Sequence, residues 1–153
     1  MNSPKEELPK INFGRLTGYI GYQVRLAQSA IFRDLSRAIR GLRVTPGEFS
    51  LLTVLEANPG VNSVTLVRVY KLDKTTLSLS LKRLTKRGQI ETARSDDDRR
   101  YYALHLTTGG RQLLRKVTRK IEKQERAMDA VLRPGGRAQL LHLLARISSV
   151  FER

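Results

Sequence analysis

Apolar residues recur every three or four positions from Asn12 to Leu42, which is the spacing of one side of an α-helix. The residues concerned are Leu16, Ile20, Val24, Ala27, Ile31, Leu35, Ala38 and Leu42. The pattern predicts one long amphipathic helix, and a stripe of that length needs a partner helix to cover it. The first ten residues are polar and contain two prolines, which predicts a loose tail over residues 1–10.

Two shorter helices are predicted next. Thr45 is a favourable N-cap, Pro46 suits the first helical position, and Glu48 stands three residues after the cap, where its carboxylate can accept a hydrogen bond from the cap N–H. The Asn-Pro-Gly stretch at 58–60 predicts the end of that helix, and SVTLVRVYKL predicts another short one.

A third helix is predicted between Asp73, a good N-cap, and Gly88, a good terminator. Leu77, Leu81 and Leu84 fall on one face of it. The opposite surface is polar and strongly basic, and it carries Lys74, Thr75, Ser78, Lys82, Arg83, Lys86 and Arg87. One face of this helix therefore suits a core, and the other suits water or a polyanion.

A β-hairpin and two further helices complete the predicted elements. QIETAR and RYYALHL alternate in period two on either side of SDDD, which indicates two strands joined by an extended tip. A long helix then carries apolar residues on one side, at Leu114, Val117, Ile121, Met128 and Val131. Pro134 opens a last helix, whose apolar residues are dense enough to need burial on more than one side.

The charge balance narrows the range of partners. The 153 residues, a length that fits a single domain, carry 29 Lys and Arg against 14 Asp and Glu, a formal net charge of +15. Such a charge favours a polyanionic partner, with nucleic acid ahead of an anionic membrane and of phosphorylated ligands. Solubility alone is the alternative explanation.

Other residue types exclude several kinds of chemistry. The chain has no cysteine, which excludes disulfides, thiolate nucleophiles and cysteine-ligated zinc. His105 and His142 have no acid or second histidine at ligand spacing, and the Gly-Gly pairs at 109–110 and 135–136 lack the spacing of a phosphate-binding loop. We therefore expect no enzyme, no cofactor and no metal site. No apolar run approaches the roughly 18 residues that span a bilayer, so we expect a cytoplasmic protein.

Three short helices followed by a hairpin are the order of a winged helix-turn-helix, in which the third helix enters the DNA major groove and the hairpin tip, the wing, reaches sideways. We therefore predict a mainly α fold with a small β-hairpin (α+β), forming a single domain over residues 11–153. Residues 45–106 are its DNA-binding module. Residues 11–43 and 107–153 are dimerisation helices, which a symmetric dimer would pack together.

From about Leu16 to Leu114 these residues resemble the MarR family of bacterial transcriptional regulators. That family typically opens its recognition helix with Asp, closes it with Leu, two often basic residues and Gly, carries Asp-Arg-Arg at the wing, and starts the next helix with Leu-Thr-x-x-Gly. The matching positions are Asp73, Leu84 to Gly88, Asp98-Arg99-Arg100, and Leu106-Thr107 to Gly110. The sequence departs at Leu79, often basic or polar in relatives, at Gln89, usually apolar, and at Lys71, commonly Gly.

The resemblance implies a ligand-responsive repressor that binds a pseudo-palindromic double-stranded DNA operator as a homodimer. Side chains near the N-terminus of a recognition helix usually meet base edges, and those further along meet phosphates. We assign four residues to the first group and three to the second: Lys74, Thr75, Thr76 and Ser78, and then Lys82, Arg83 and Lys86. A solvated helix face is the alternative interpretation.

Three aspartates, Asp96 to Asp98, precede the wing arginines, and we interpret them as residues that shape the wing. The resemblance to the MarR family implies the same role for Asp98. Asp98 can accept a charge-assisted hydrogen bond from Arg100 and so orient the wing. One arginine, Arg99 or Arg100, then enters the narrow minor groove of A·T-rich DNA. Asp96 and Asp97 are interpreted as turn formers.

The effector is implied by the resemblance alone. MarR-type dimers often bind aromatic acids, phenols or related compounds in a crevice between the dimerisation helices and the DNA-binding module. Tyr19, Tyr22 and Arg25 are the candidate ligand contacts, because a phenol ring and a guanidinium suit an aromatic carboxylate; dimer packing or plain surface is the alternative. The basic run from Arg111 to Arg126 could accommodate a phosphorylated ligand such as an aryl-CoA thioester, or could be solvated.

Two other functions stay open. A non-specific architectural DNA- or RNA-binding protein, held by charge alone, would lose affinity for all sequences alike as salt rises. A specific dimer would keep a preference of roughly 10³-fold or more for its operator. A membrane-surface role is the third candidate, and the lack of an aromatic-rich helix face speaks against it.

Overall fold

Helices make up most of the described structure. The computed structural model describes residues 11–70, 74–94 and 102–151, so the predicted tail over residues 1–10 lies outside it. Within these ranges the α-helices are α1 (Ile20–Ile39), α2 (Pro46–Ala57), α3 (Ser63–Tyr70), α4 (Lys74–Lys86), α5 (Thr108–Asp129) and α6 (Gly136–Phe151), and the strands are β1 (Ile90–Arg94) and β2 (Tyr102–Leu106). The predicted fold class, mainly α with one β-hairpin after the third short helix, is confirmed.

The chain divides into two compact units, Met1–Asp34 and Leu35–Arg153. In the first unit a 3₁₀ turn over Gly14–Gly18 precedes α1, and Tyr19 between them is extended, with φ −87° and ψ 129°. The prediction of one continuous helix from Asn12 is therefore wrong in its first part. Gly14 has a φ of +55°, which glycine adopts at little cost, and the spacing of apolar residues carries no information about such a turn.

In the second unit, α2 begins with the capping box that the sequence predicts. The Glu48 N–H donates to the Thr45 hydroxyl oxygen at 3.1 Å, and the Thr45 N–H donates to the Glu48 carboxylate at 2.9 Å. Pro46 occupies the first helical position, and the helix ends at Ala57, just before the Asn-Pro-Gly stretch. Both predicted ends of this helix are confirmed.

The hairpin is antiparallel, with Ile90 of β1 opposite Leu106 of β2. A short third segment also pairs with β2, which the sequence pattern does not predict. The Leu104 N–H donates to the Val61 carbonyl oxygen at 3.0 Å, just before α3. Because this contact involves only one bridge, it leaves no period-two pattern in the sequence.

The core of the second unit lies where α2, α4, the hairpin and the first half of α5 meet. Its buried members are Leu35, Ile39, Val44, Leu51, Leu52, Leu55, Leu66, Leu77, Leu84, Ile90, Leu104, Leu106, Leu114 and Val117. From α4, Leu77 and Leu84 are buried and Leu81 packs at the edge, as predicted. This packing decides which face of α4 points outward.

The turn from α5 to α6 corrects two predictions. Val131 lies beyond the end of α5 and is 84% exposed, so it does not share the packed side of that helix. The last helix begins at Gly136 rather than at Pro134. Arg137 bridges the two helices, donating to Asp129 at 2.9 Å and to Glu125 at 2.7 Å, and these carboxylates raise the pKa of its guanidinium above the ordinary value.

Helix α6 has no buried residue in this single chain. Its large apolar side chains are between 37% and 82% exposed, at Leu140, Leu141, Leu143, Leu144, Ile147, Val150 and Phe151. None of the helices in the described ranges has both the length and the apolar character needed to cross a membrane. The apolar surface of α6 is thus available to another protein surface.

Candidate nucleic-acid interface

Helix α4 carries the proposed DNA contacts on its exposed face. With Leu77 and Leu84 at 1% and 0% exposure in the core, the opposite side of the helix faces water. The seven residues predicted to contact DNA from this helix are all exposed: Lys74, Thr75, Thr76, Ser78, Lys82, Arg83 and Lys86. The structure therefore brings them together on one helix surface.

The predicted N-cap of α4 and all the predicted wing residues lie outside the described residues: Asp73, Asp96, Asp97, Asp98, Arg99 and Arg100. Asp73, the expected N-cap of α4, precedes the first described residue of that helix. Asp98, Arg99 and Arg100 fall within residues 95–101, which connect β1 to β2. Arg94 and Tyr102 are the last pair of the hairpin ladder, and residues 95–101 join them in the chain.

Leu79 lies in the middle of the exposed face of α4. It is four residues after Thr75 and three before Lys82, spacings that place all three on one side of a helix. Its side chain is 51% exposed, whereas the other apolar residues of α4 turn to the core or its edge. An apolar side chain thus interrupts an otherwise polar and basic surface.

Arg83 has a partner that the sequence pattern does not predict. Its Nε donates to the Glu48 carboxylate at 2.9 Å, and one terminal nitrogen donates to the Ser80 hydroxyl at 3.3 Å. The Glu48 side chain is 1% exposed and that of Arg83 49%. Arg83 is therefore both anchored in the protein and accessible to a partner at the surface.

The end of α4 is tied to the same carboxylate. Arg87 has a terminal nitrogen 3.7 Å from Glu48 and also donates to the backbone carbonyl of Arg43, in the turn that leads into α2. Arg43 has a φ of +51°, the left-handed conformation, so the side chain of the residue that follows α4 supports a turn of uncommon geometry. Arg87 thus contributes to positioning α4 against α2.

The start of the hairpin is held between α4 and α5. Gly88 has a φ of +65° and ends α4, as predicted. The Thr107 hydroxyl donates to the Gly88 carbonyl oxygen at 2.6 Å and accepts from the Gly110 N–H at 3.0 Å. These bonds tie the last residue before α5 to the end of α4, where the chain enters β1.

Two of the three candidate ligand contacts of the first unit, Tyr22 and Arg25, lie together with Phe13. The Arg25 guanidinium lies 5.1 Å from the centre of the Tyr22 ring, and the Phe13 ring is 6.3 Å from Tyr22 at a 39° tilt. Tyr19 is 56% exposed. The structure thus pairs Tyr22 with Arg25, and the Phe13 contact was not predicted.

Three surface clefts are lined by described residues of the second unit. An apolar cleft of about 340 Å³ lies between α3 and α4, with Val67 and Leu81 among its lining residues. A groove of about 180 Å³ lies on α5 beside Arg115, Lys116 and Arg119, within the basic run noted in the sequence. His105 lines a third, of about 400 Å³, with acidic and basic neighbours. No group of three metal-ligating side chains occurs among the residues that the structure describes.

Comparison with known proteins gives matches over nearly the whole chain. A model of the MarR family matches residues 42–100. A putative transcriptional regulatory protein for the hcr operon of Thauera aromatica is 31% identical over 142 residues, which are 92% of this chain and 86% of that protein. The residues matched by the family model include the capping box, α4 and β1.

Two solved structures are similar in both fold and sequence. One is the transcriptional repressor CouR bound to a 23-mer DNA duplex, with a TM-score of 0.84 and 30% identity over 92% of this chain and 99% of that one. The other is CouR bound to p-coumaroyl-CoA, with a TM-score of 0.82 and 28% identity over 91% and 98%. The helix order, the hairpin and the flanking helices are therefore those of a known class of regulator.

Proposed function

This chain belongs to the MarR family of bacterial transcriptional regulators, and on that basis we propose that it is a sequence-specific repressor that binds a double-stranded DNA operator as a homodimer. The observation that carries the proposal is the division of α4 into a buried apolar face and an exposed face with all seven predicted DNA contacts. A helix divided in this way can lie in the major groove.

The contacts along α4 divide by position. The N-terminal group, Lys74, Thr75, Thr76 and Ser78, is proposed to meet base edges. The later group, Lys82, Arg83 and Lys86, is proposed to meet phosphates, where three cations supply affinity that falls as salt rises. Leu79 lies between these groups, and its apolar side chain suits the C5-methyl group of thymine, the apolar feature of the major groove.

The wing roles remain proposals about residues that the structure does not describe. Asp98 is proposed to orient the wing, and Arg99 or Arg100 to enter the minor groove. The antiparallel register of β1 and β2 supports this, because the ladder ends with Arg94 opposite Tyr102 and the chain runs from one to the other through residues 95–101. An arginine there meets the negative potential of a narrow minor groove.

A homodimer would cover the apolar surface that the single chain leaves exposed. In α6 the large apolar side chains are 37% to 82% exposed, far more than a lone protein surface usually shows on one helix. We propose that residues 11–43 and 107–153 supply dimerisation helices around the DNA-binding module, residues 45–106. A two-fold dimer would then read a pseudo-palindromic site with half-sites about 10 base pairs apart.

The effector proposal favours an aryl-CoA thioester over a free aromatic acid or phenol. It is supported by the similarity to CouR, which was solved with p-coumaroyl-CoA. On α5, the groove beside Arg115, Lys116 and Arg119 offers cations for phosphate groups. Separately, Tyr19, Tyr22 and Arg25 remain candidate contacts for an aromatic carboxylate. Each idea fails if aromatic acids and their CoA esters change neither the melting temperature nor DNA affinity.

The first test compares DNA from immediately upstream of this protein's own gene with a scrambled duplex of equal length, by fluorescence anisotropy near physiological salt. A preference of roughly 10³-fold would support a specific regulator acting in the cytoplasm. Equal affinity, with both duplexes released alike as salt rises, would favour the non-specific architectural alternative. A genome-wide selection of bound fragments would then find any operator that lies elsewhere.

A further inference from the structure

Glu48 is a buried carboxylate that faces the proposed recognition helix. Its side chain is 1% exposed. Oε2 accepts from the Thr45 N–H at 2.9 Å, Oε1 accepts from the Arg83 Nε at 2.9 Å, and Arg87 lies 3.7 Å from Oε2. Burying a charge is costly unless it is paired and hydrogen-bonded, and these contacts meet that need.

The contact with Arg83 does more than neutralise a charge. An arginine carries five N–H donors in a rigid plane, and here the Nε side is held by Glu48 while a terminal nitrogen reaches Ser80 at 3.3 Å. Because the plane is rigid, holding one edge fixes the direction of the opposite edge. With the Arg83 side chain 49% exposed, that opposite edge is open to a partner.

We propose that Glu48 is a positioning residue for DNA binding, which holds the Arg83 guanidinium in the orientation that meets a DNA phosphate. The proposal rests on the proposed function of α4. A long arginine side chain that is ordered before binding loses less rotational freedom when the phosphate contact forms. Arg87, anchored to the same carboxylate and to the Arg43 carbonyl, keeps the end of α4 in place while this happens.

The sign of the effect separates positioning from general electrostatics. Glu48→Gln removes a negative charge from a protein that binds a polyanion, and charge alone would then tighten binding. Positioning predicts the reverse, because the remaining amide would turn an N–H₂ donor toward the Arg83 Nε–H donor. Glutamine can still close the capping box with Thr45, so the start of α2 is preserved.

The experiment measures operator affinity and its salt dependence for the full chain carrying Glu48→Gln. The matched control is Glu56→Gln, which makes the same charge change at an exposed position of the same helix. We expect Glu48→Gln to weaken binding about 2- to 10-fold and Glu56→Gln to leave it unchanged or slightly tighter. Loss of the ordered phosphate contact should also reduce the slope of log K against log salt by up to about 0.9.

A double-mutant cycle tests whether Glu48 acts through Arg83. In an Arg83→Gln background, Glu48→Gln should have no further effect on affinity. Additive losses would mean that Glu48 acts elsewhere and would overturn the proposal. Arg83→Lys is the second test if Glu48→Gln fails to fold. Lysine keeps the positive charge, but its ammonium has no rigid plane that could bind Glu48 with one edge and a DNA phosphate with the opposite edge.

The outcomes distinguish this inference from the proposed function. If the wild-type protein shows no preference for any operator, the proposed function fails, and this inference fails with it. If the wild type is specific and Glu48→Gln binds as tightly as Glu56→Gln with an unchanged salt slope, the function stands and the positioning role is wrong. A fall in melting temperature without a change in affinity or slope would also reject positioning and leave Glu48 with a folding role only.

Discussion

Gly110 lies directly against the backbone carbonyl of Gln89, so close that a Cβ at position 110 would be 2.0 Å from that oxygen. The contact joins the first turn of α5 to the residue that leads into β1. It explains why the Leu-Thr-x-x-Gly pattern places a glycine here. The absent side chain lets the two backbones approach and sets the hairpin beside the end of α4.

Gly110→Ala should therefore destabilise the protein, by on the order of 1–3 kcal/mol or more, because the added methyl group meets a backbone atom that cannot rotate away. The measurement is the free energy of unfolding in urea. Gly109→Ala is the matched control, since its Cβ would lie 3.5 Å from the nearest atom, an ordinary contact, and alanine favours a helix. Equal stability of the two variants would show that α5 can shift without cost.

Gln89→Met should stabilise the protein by about 1 kcal/mol. The Gln89 side-chain oxygen is buried and finds no hydrogen-bond partner among the described residues, so an apolar side chain of similar length removes an unsatisfied acceptor. Gln112→Met, at an exposed position on α5, is the control and should change stability little. A loss of stability at position 89 would indicate that the oxygen is satisfied by water.

The local part of this structure was predictable from the sequence, and the contacts between distant segments were not. The capping box joins Thr45 to Glu48, three residues apart, and its pattern is visible in the chain. The bond from Glu48 to Arg83 spans 35 residues, and no spacing rule reports it. The sequence therefore predicted Arg83 as a surface cation but missed the carboxylate that holds it.

The same limit explains the errors at helix ends. The spacing of apolar residues indicates which side of a helix packs against the core. It correctly predicted that Leu77 and Leu84 are buried, because both lie within one helix. It does not detect a break in the backbone, and the extended residue Tyr19 separates a 3₁₀ turn from α1 inside a continuous apolar pattern. The short pairing of Val61 with β2 likewise depends on tertiary structure alone.

Thr45→Ala should cost about 1 kcal/mol of stability, because it removes the side-chain acceptor of the capping box. The matched control is Thr53→Ala within α2, where the hydroxyl donates to the Phe49 carbonyl and the side chain is exposed. That substitution should be neutral or slightly stabilising, since alanine has the higher helix propensity. Thermal unfolding of both variants checks the difference, and similar losses would argue against a specific cap.

Leu141→Glu should dissociate the proposed dimer. Leu141 is 56% exposed on α6, and a carboxylate placed in a buried apolar interface would have to lose its hydration without a partner. Sedimentation velocity of the full chain would then show a smaller species than the wild type at equal concentration. Gln139→Glu introduces the same charge at an exposed polar position of α6 and should leave assembly unchanged. Unchanged assembly of Leu141→Glu would place the dimer interface elsewhere.

Leu79 supplies a chemical test of base reading by α4. It lies between Thr75 and Lys82 on the exposed face, where an apolar side chain has a natural partner in the thymine methyl group. Replacing single thymines of the operator by uracil removes only that methyl group and leaves every hydrogen-bonding atom in place. One such replacement per half-site should weaken wild-type binding by on the order of 1 kcal/mol, the lower end of the cost of altering a base pair.

The control for this prediction is a variant protein, Leu79→Ala, and not a further change in the DNA. Leu79→Ala shortens the side chain so that it no longer reaches the methyl group, and this variant should bind thymine and uracil operators with nearly equal affinity. Anisotropy titrations of both proteins on both duplexes give the coupling between the side chain and the methyl group as a double-substitution cycle. Zero coupling at every thymine would mean that Leu79 does not read the groove. Specificity would then rest on the polar residues of α4 and on the wing.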